Sequence, residues 1–238
     1  MEYAIIAAGE GSRLVQEGIA TPKPLVRING VALVDRLISL FLRNEASSIS
    51  IIVNEEMKEV QQHLRNIDIN IPLNIVVKST PSSMHSFYEL SRFLTGDKFC
   101  LTTVDTIFRQ EDFAPYIRSF AADNEYDGMM AVTGFIDDEK PLYVAENPET
   151  GEITGFLDTP GDARYVSGGI YGLTPKAINV LKTCLDEGVS RMRNYQRRLI
   201  AEGLRLKACP FGKIVDVDHA EDIMKAELFL SEENIHER

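Results

Sequence analysis

The 238-residue chain has no tryptophan, and its three cysteines (Cys100, Cys184, Cys209) are far apart, with no Cys-x-x-Cys pair. An odd, dispersed set argues against a disulfide framework and against a thiolate zinc site; it suits reduced thiols in a cytoplasmic protein. No apolar run approaches the roughly 18 residues that cross a bilayer. The opening MEYAIIAAGEG has no basic segment ahead of an apolar one, so neither a signal peptide nor a membrane partner is expected. Cations are also short: 25 Lys and Arg face 36 Asp and Glu, a net charge of −11. A domain built to grip nucleic acid normally carries the opposite sign, so no nucleic-acid partner is expected. Repeats, low-complexity tracts and Pro/Gly-rich linkers are missing too. What remains is ordinary for a globular chain, 44% hydrophobic and 26% charged, with length enough to bury a core unaided. An acidic chain can still hold a phosphorylated ligand where its cations are concentrated.

Short apolar runs alternate with helical periods. Strands are expected over 3–7, 50–53, 73–77 and 99–104, with helices over 31–44, 55–65 and 83–94 between them. In 31–44, Leu33, Leu37, Leu40 and Phe41 recur at helical spacing, and Val34 and Ile38 widen that face. This alternation predicts a mostly parallel sheet covered on both faces, with ligands at the carboxyl ends of its strands. Beyond about residue 127 the pattern turns to strands at 128–134, 142–146, 152–157 and 166–173, an antiparallel or mixed extension. Helices over 175–187 and 191–202, strands over 205–209 and 213–217, and a helix over 219–230 complete one domain. We divide it into a nucleotide-binding half (1–126), an acceptor-binding half (127–210) and a closing segment (211–238).

The strongest local signal follows the first strand: Ala7-Ala8-Gly9-Glu10-Gly11-Ser12-Arg13-Leu14, then Pro22-Lys23-Pro24-Leu25. Small residues at a strand end let backbone N–H groups approach phosphate oxygens. Leu14 stands where a dinucleotide fingerprint needs its third glycine, and no lysine follows Gly11 as a P-loop requires. Glycine loop, arginine and Pro-flanked lysine together are far more specific than a bare Gly-x-Gly. A second signal is Val104-Asp105-Thr106-Ile107-Phe108, an acidic residue ending an apolar strand. A third is Asp216-Val217-Asp218-His219-Ala220-Glu221-Asp222, where Asp218 reads as an N-cap with Glu221 three residues on and His219 as a first-turn residue.

These motifs resemble the nucleotidylyltransferases that make nucleotide-activated sugars and alcohols, whose signature is GxGxRL followed by PKPL. The resemblance implies a GT-A-like, Rossmann-like three-layer α/β domain with a mostly parallel mixed sheet, the nucleotide-diphospho-sugar transferase type. It implies transfer of a nucleoside monophosphate from a nucleoside triphosphate to a phosphorylated acceptor such as a sugar 1-phosphate, with Mg²⁺ as cofactor and release of pyrophosphate. It assigns Ala7, Ala8, Gly9, Gly11, Ser12 and Arg13 to the nucleotide, with Arg13 and Lys23 as catalytic cations on its phosphates. Asp105 and Asp216 become the metal ligands, although Val104 replaces the usual preceding glycine. Ser82 and Ser83 fall in the loop that contacts base and sugar, a place that helix capping explains as well. Glu146, Gly168 and Gly169 fall on the acceptor side, the glycines pointing to a bulge or a close ligand approach.

Departures matter as well. Asp158 and Thr159 stand where relatives carry Glu-Lys, so the lysine expected on an acceptor phosphate is missing. This opens cytidylyl transfer to a phosphorylated alcohol or amino-alcohol such as phosphocholine, although the eight tyrosines form no visible cage for a quaternary ammonium. The long C-terminal extension of bacterial N-acetylglucosamine-phosphate enzymes is missing, which argues against that activity. A non-catalytic nucleotide-sensing domain is the reading outside enzymes. Arg191, Arg193, Arg197 and Arg198 suit either an acceptor phosphate or a solvated helix face. A homo-oligomer is left open.

Overall fold

A computed structural model describes residues 1–232. The first half runs β1 (Glu2–Ala7), α1 (Ser12–Gln16), a 3-10 turn (Lys23–Leu25), β2 (Arg27–Ile28), β3 (Val31–Ala32), α2 (Leu33–Arg43), β4 (Ser48–Val53), α3 (Lys58–Arg65), β5 (Leu73–Val77), α4 (Ser83–Ser91), β6 (Phe99–Thr103), β7 (Thr106–Ile107) and α5 (Gln110–Ala122). The second runs β8 (Gly128–Thr133), β9 (Tyr143–Glu146), β10 (Ile153–Leu157), β11 (Tyr165–Leu173), α6 (Pro175–Asp186), α7 (Met192–Ala201), β12 (Leu206–Phe211), β13 (Val215–Asp216) and α8 (Ala220–Ser231).

Nine strands share one sheet, ordered β10-β9-β11-β6-β1-β4-β5, with β8 paired to β11 and β12 to β8. Strands β6, β1, β4 and β5 are parallel, β12 is parallel to β8, and β11 runs antiparallel to β6, β8 and β9. Alternation along each strand divides the core between the two faces. Tyr3, Ile5, Ile49 and Ile51 point to the side of Leu37, Phe41 and Phe113, where Tyr3 and Phe41 stack with ring centroids 4.3 Å apart. Ala4, Ile6, Ile52 and Leu101 point to the side of Phe87, Leu181 and Tyr195. The central strands are buried on both faces, as helix-covered parallel strands are.

Two local differences from the sequence-based expectation have physical causes. The helix expected from residue 31 starts at Leu33, because Asn29 (φ 49°) and Gly30 (φ 82°) close a tight hairpin that takes Val31–Ala32 into a strand. No element is expected between 105 and 127, yet α5 fills the interval. Its buried Phe113, Tyr116, Ile117 and Phe120 have helical spacing, interrupted to the eye by Pro115.

Candidate active site

The site is assembled at the carboxyl ends of β1 and β6. Their register pairs Ile6 with Thr103, and the Val104 N–H donates to the Ile6 carbonyl at 3.0 Å, so Asp105 emerges beside the loop that leaves β1. Asp216 reaches the same place by a second device. Strand β13 pairs antiparallel with β7, matching Asp216 to Thr106 and Val215 to Ile107, and the Val217 N–H donates to the Asp105 carbonyl at 3.1 Å. Two distant segments are thereby tied at one point, with Asp105 and Asp216 in the same cavity wall.

Lys23 lies between the carboxylates of Asp105 and Asp218. Its side chain is only 9% exposed, and Nζ donates to Asp105 Oδ2 and to Asp218 Oδ1, both at 2.6 Å. The other oxygen of Asp218 accepts from Arg13 Nη1 at 2.9 Å. Gly11 allows this close approach. Its φ of +62° disfavours a side chain, and a Cβ there would lie 3.1 Å from the Lys23 Cβ. The chain Asp105–Lys23–Asp218–Arg13 corrects the reading of Asp218 as a helix cap. The N-cap of α8 is His219, and the Asp222 carboxylate accepts from the N–H groups of His219 (2.7 Å) and Asp218 (3.1 Å). Asp218 is left free to face the two cations, and its alternation with Asp216 along an extended segment is the signal that could have shown it.

The electrostatics follow from this packing. Burial disfavours the Lys23 ammonium, but Asp105 and Asp218 outweigh that and raise its pKa above the ordinary range. Burial likewise works against the Asp105 carboxylate, and the Lys23 ammonium beside it holds its pKa below the usual value. Asp216 goes the other way. It is exposed on the cleft wall, yet the protein crowding its carboxyl and, after that, repulsion from Asp105 and Asp218 push its pKa up to about 7. The mouth thus carries more negative charge than Lys23 neutralises.

A cleft of about 430 Å³ opens between Arg13, Gly168, Ile214, Asp216 and Asp218. The loop over 134–141 forms one lip and is tied across by Lys225–Asp137 (3.0 Å) and Arg13–Glu139 (3.8 Å). A smaller cavity of about 290 Å³ shares Asp216, Asp218 and Ser167 with it and adds Ser83, Asp105 and Gly169.

The remaining sequence-chosen residues divide. Ala7 ends β1 in the core, the Ala8 carbonyl accepts from buried Asn54 at 3.4 Å, and Gly9 and Ser12 are exposed on the loop. Ser82 caps α4 by position, but its hydroxyl hydrogen-bonds His85 Nδ1 at 2.9 Å; Ser83 lines the smaller cavity. Gly168 and Gly169 do form a bulge, where the β11–β8 register shifts between Ser167 and Tyr171. A Cβ at Gly168 would meet the tip of Ile214, Cδ1, at 2.3 Å and the Ala131 carbonyl oxygen at 3.1 Å, so Ile214 would have to turn aside and the backbone contact would be tight. Glu146 lines neither cavity, and its carboxylate is held by Arg164. Of the four clustered arginines, Arg193 and Arg197 clamp Asp158 at 2.9 and 2.7 Å, and Arg198 pairs with Glu187 and Glu202. Arg191 lines the smaller cavity.

Among the described residues no group of three or more His, Cys, Asp and Glu gathers as a metal site. What Asp105 and Asp216 offer is an all-oxygen donor pair with surplus negative charge, and that chemistry fits a hard cation that keeps its other positions for water and phosphate.

The chain is 26% identical over 224 residues to the bifunctional protein GlmU of Thermodesulfovibrio yellowstonii, covering 90% of this chain and 48% of that protein. It is 22% identical over 234 residues to GlmU of Methanococcus maripaludis, covering 95% and 53%. It therefore spans about half the length of these curated relatives. The fold matches the inositol-1-phosphate CTP transferase from T. maritima with a TM-score of 0.81 at 20% identity, covering 96% of this chain and 94% of that one. It also matches a Bacillus anthracis protein assigned as a glucose-1-phosphate thymidylyltransferase, solved with sucrose, with a TM-score of 0.83 at 17% identity and the same coverage. The nucleotidyl transferase family model matches residues 3–233, nearly the whole chain, and the protein belongs to that family.

Proposed function

We propose that the chain transfers a nucleoside monophosphate from a nucleoside triphosphate to a phosphorylated acceptor and releases pyrophosphate. The observation that carries this reading is the convergence of Lys23, Arg13, Asp105, Asp216 and Asp218 at one sheet edge beside the glycine loop. An acceptor phosphate is already an anion near neutral pH, so no base is needed to activate it. One of its oxygens attacks the α-phosphorus while the bond to pyrophosphate breaks, and the protein's task is to align these groups and neutralise charge. Gly9 and Gly11 supply backbone donors, Lys23 meets the α-phosphate and the acceptor, and Arg13 meets the departing pyrophosphate. Asp105 and Asp216 would hold Mg²⁺, which when bound supplies further neutralisation of phosphate oxygens. Residues 1–126 serve the nucleotide and 127–210 the acceptor; 211–238 bring the second aspartate, with 233–238 outside the described residues.

A sugar 1-phosphate is the first acceptor class, supported by the acceptor of the B. anthracis structure's assigned activity. The second is a phosphorylated alcohol, as for the T. maritima enzyme. It is favoured by Thr159, which stands where relatives carry a lysine, while the neighbouring Asp158 is engaged by Arg193 and Arg197. The test is Mg²⁺-dependent pyrophosphate release with the four ribonucleoside triphosphates and a panel of sugar and alcohol phosphates. Asp105→Ala and Asp216→Ala should each lower turnover by about two orders of magnitude or more while the protein stays folded. Near-normal turnover in both would refute the assignment.

A further inference from the structure

The smaller cavity holds a polar group that the reaction above does not use. Gln196, on α7, is 2% exposed yet lines that cavity with Asp105, Asp216, Ser167 and Tyr171. Its Oε1 accepts from the Ser167 hydroxyl at 3.0 Å, which orients the carboxamide. Its Nε2 donates to no group among the described residues. That nitrogen is not sealed in protein but keeps access to the cavity, so a ligand there can take the bond that no protein group accepts. Around it the wall is polar, and Tyr171 is the one aromatic side chain lining the cavity, too few for a cationic cage.

The geometry points to Gln196 as a specificity-determining residue whose N–H groups donate to a hydroxyl oxygen of the acceptor. This rests on the transferase reading and narrows its acceptor to a polyhydroxylated phosphate, a sugar or a cyclitol. A trimethylammonium group has no lone pair to accept such a bond, so choline-type acceptors leave the carboxamide unpaired.

The experiment measures pyrophosphate release by the full chain with Mg²⁺, each nucleoside triphosphate, and glucose 1-phosphate, inositol 1-phosphate or phosphocholine. Wild-type protein is expected to turn over a polyol phosphate. Gln196→Met, close in volume but without donors, should raise the acceptor KM about tenfold or more, with kcat and the nucleotide KM within about threefold. Ser167→Ala leaves the carboxamide in place but unanchored; it should raise the same KM by a smaller factor, and it serves if Gln196→Met folds poorly. An unchanged acceptor KM in the folded variants, or preference for phosphocholine, overturns the role of Gln196 and leaves the transferase reading standing. Absence of release with every acceptor overturns the transferase reading and this inference with it.

Discussion

Lys23 is held by two carboxylates at 2.6 Å, a closer confinement than a solvent-exposed phosphate-binding lysine would have. Lys23→Met removes the cation from a mostly buried pair and leaves Asp105 and Asp218 facing one another. The expected cost is about 1–3 kcal/mol of stability, read as a lower denaturation midpoint, together with a large loss of turnover. Full turnover at reduced stability would make the lysine purely architectural. Asp216 supplies a pH test. Its folded pKa of about 7 lies above the ordinary 3.8. In the cation-free protein this carboxyl therefore opposes folding above pH 7, and the opposition fades as pH falls toward 4. On the proposed assignment cation binding needs the carboxylate, so Mg²⁺ affinity should fall as pH drops through 7, and binding near pH 6.5 should release about one proton. Calorimetry in two buffers of different ionisation enthalpy reads that proton; no release would remove Asp216 from the ion's shell.

Elements carry their own predictions. The Tyr116 hydroxyl, on buried α5, accepts from the Gly172 N–H at 2.6 Å and donates to the Met129 carbonyl at 2.8 Å, standing between residues that β11 and β8 pair. Tyr116→Phe leaves both backbone groups without this partner and should cost about 1–3 kcal/mol, measured by chemical denaturation; no change would mean that the strands close up. Gly168→Ala turns Ile214 aside and presses on the Ala131 carbonyl, 3.1 Å from the added Cβ, and should cost about 1 kcal/mol; loss of activity without loss of stability would locate its demand in ligand approach instead. At this scale the sequence was legible where periodicity is strong, as in β1, α2 and β4. It was not legible in α5, where Pro115 interrupts the apolar spacing, nor in the residue 29–30 turn, whose positive-φ geometry overrides a helical start. The glycine loop and the two aspartates stand out in the sequence by their order along the chain, whereas the meeting of Asp105 and Asp216 in one cavity is set by the β7–β13 pairing. Asp218 was misread because a capping box is a local pattern, whereas its contacts with Lys23 and Arg13 lie about two hundred positions away and only the fold brings them near.

For the molecule as a whole, a net charge of −11 coexists with two cations, Lys23 and Arg13, gathered on Asp218 beside the cleft. Because Arg13 and Asp218 are half exposed, at 50% and 40%, their attraction is open to screening. Raising ionic strength from about 0.05 M to about 0.5 M should weaken nucleoside triphosphate binding several-fold while the melting temperature, set by the two apolar layers, moves little. A parallel fall in melting temperature would place the main electrostatic effect in folding. The two-residue pairing of β7 with β13 has a temporal corollary. The lysine and its later carboxylate partner are 195 positions apart, so a growing polypeptide displays its glycine turn long before the closing segment emerges. On the proposed reading, the nascent chain lacks a complete site until that late stretch docks.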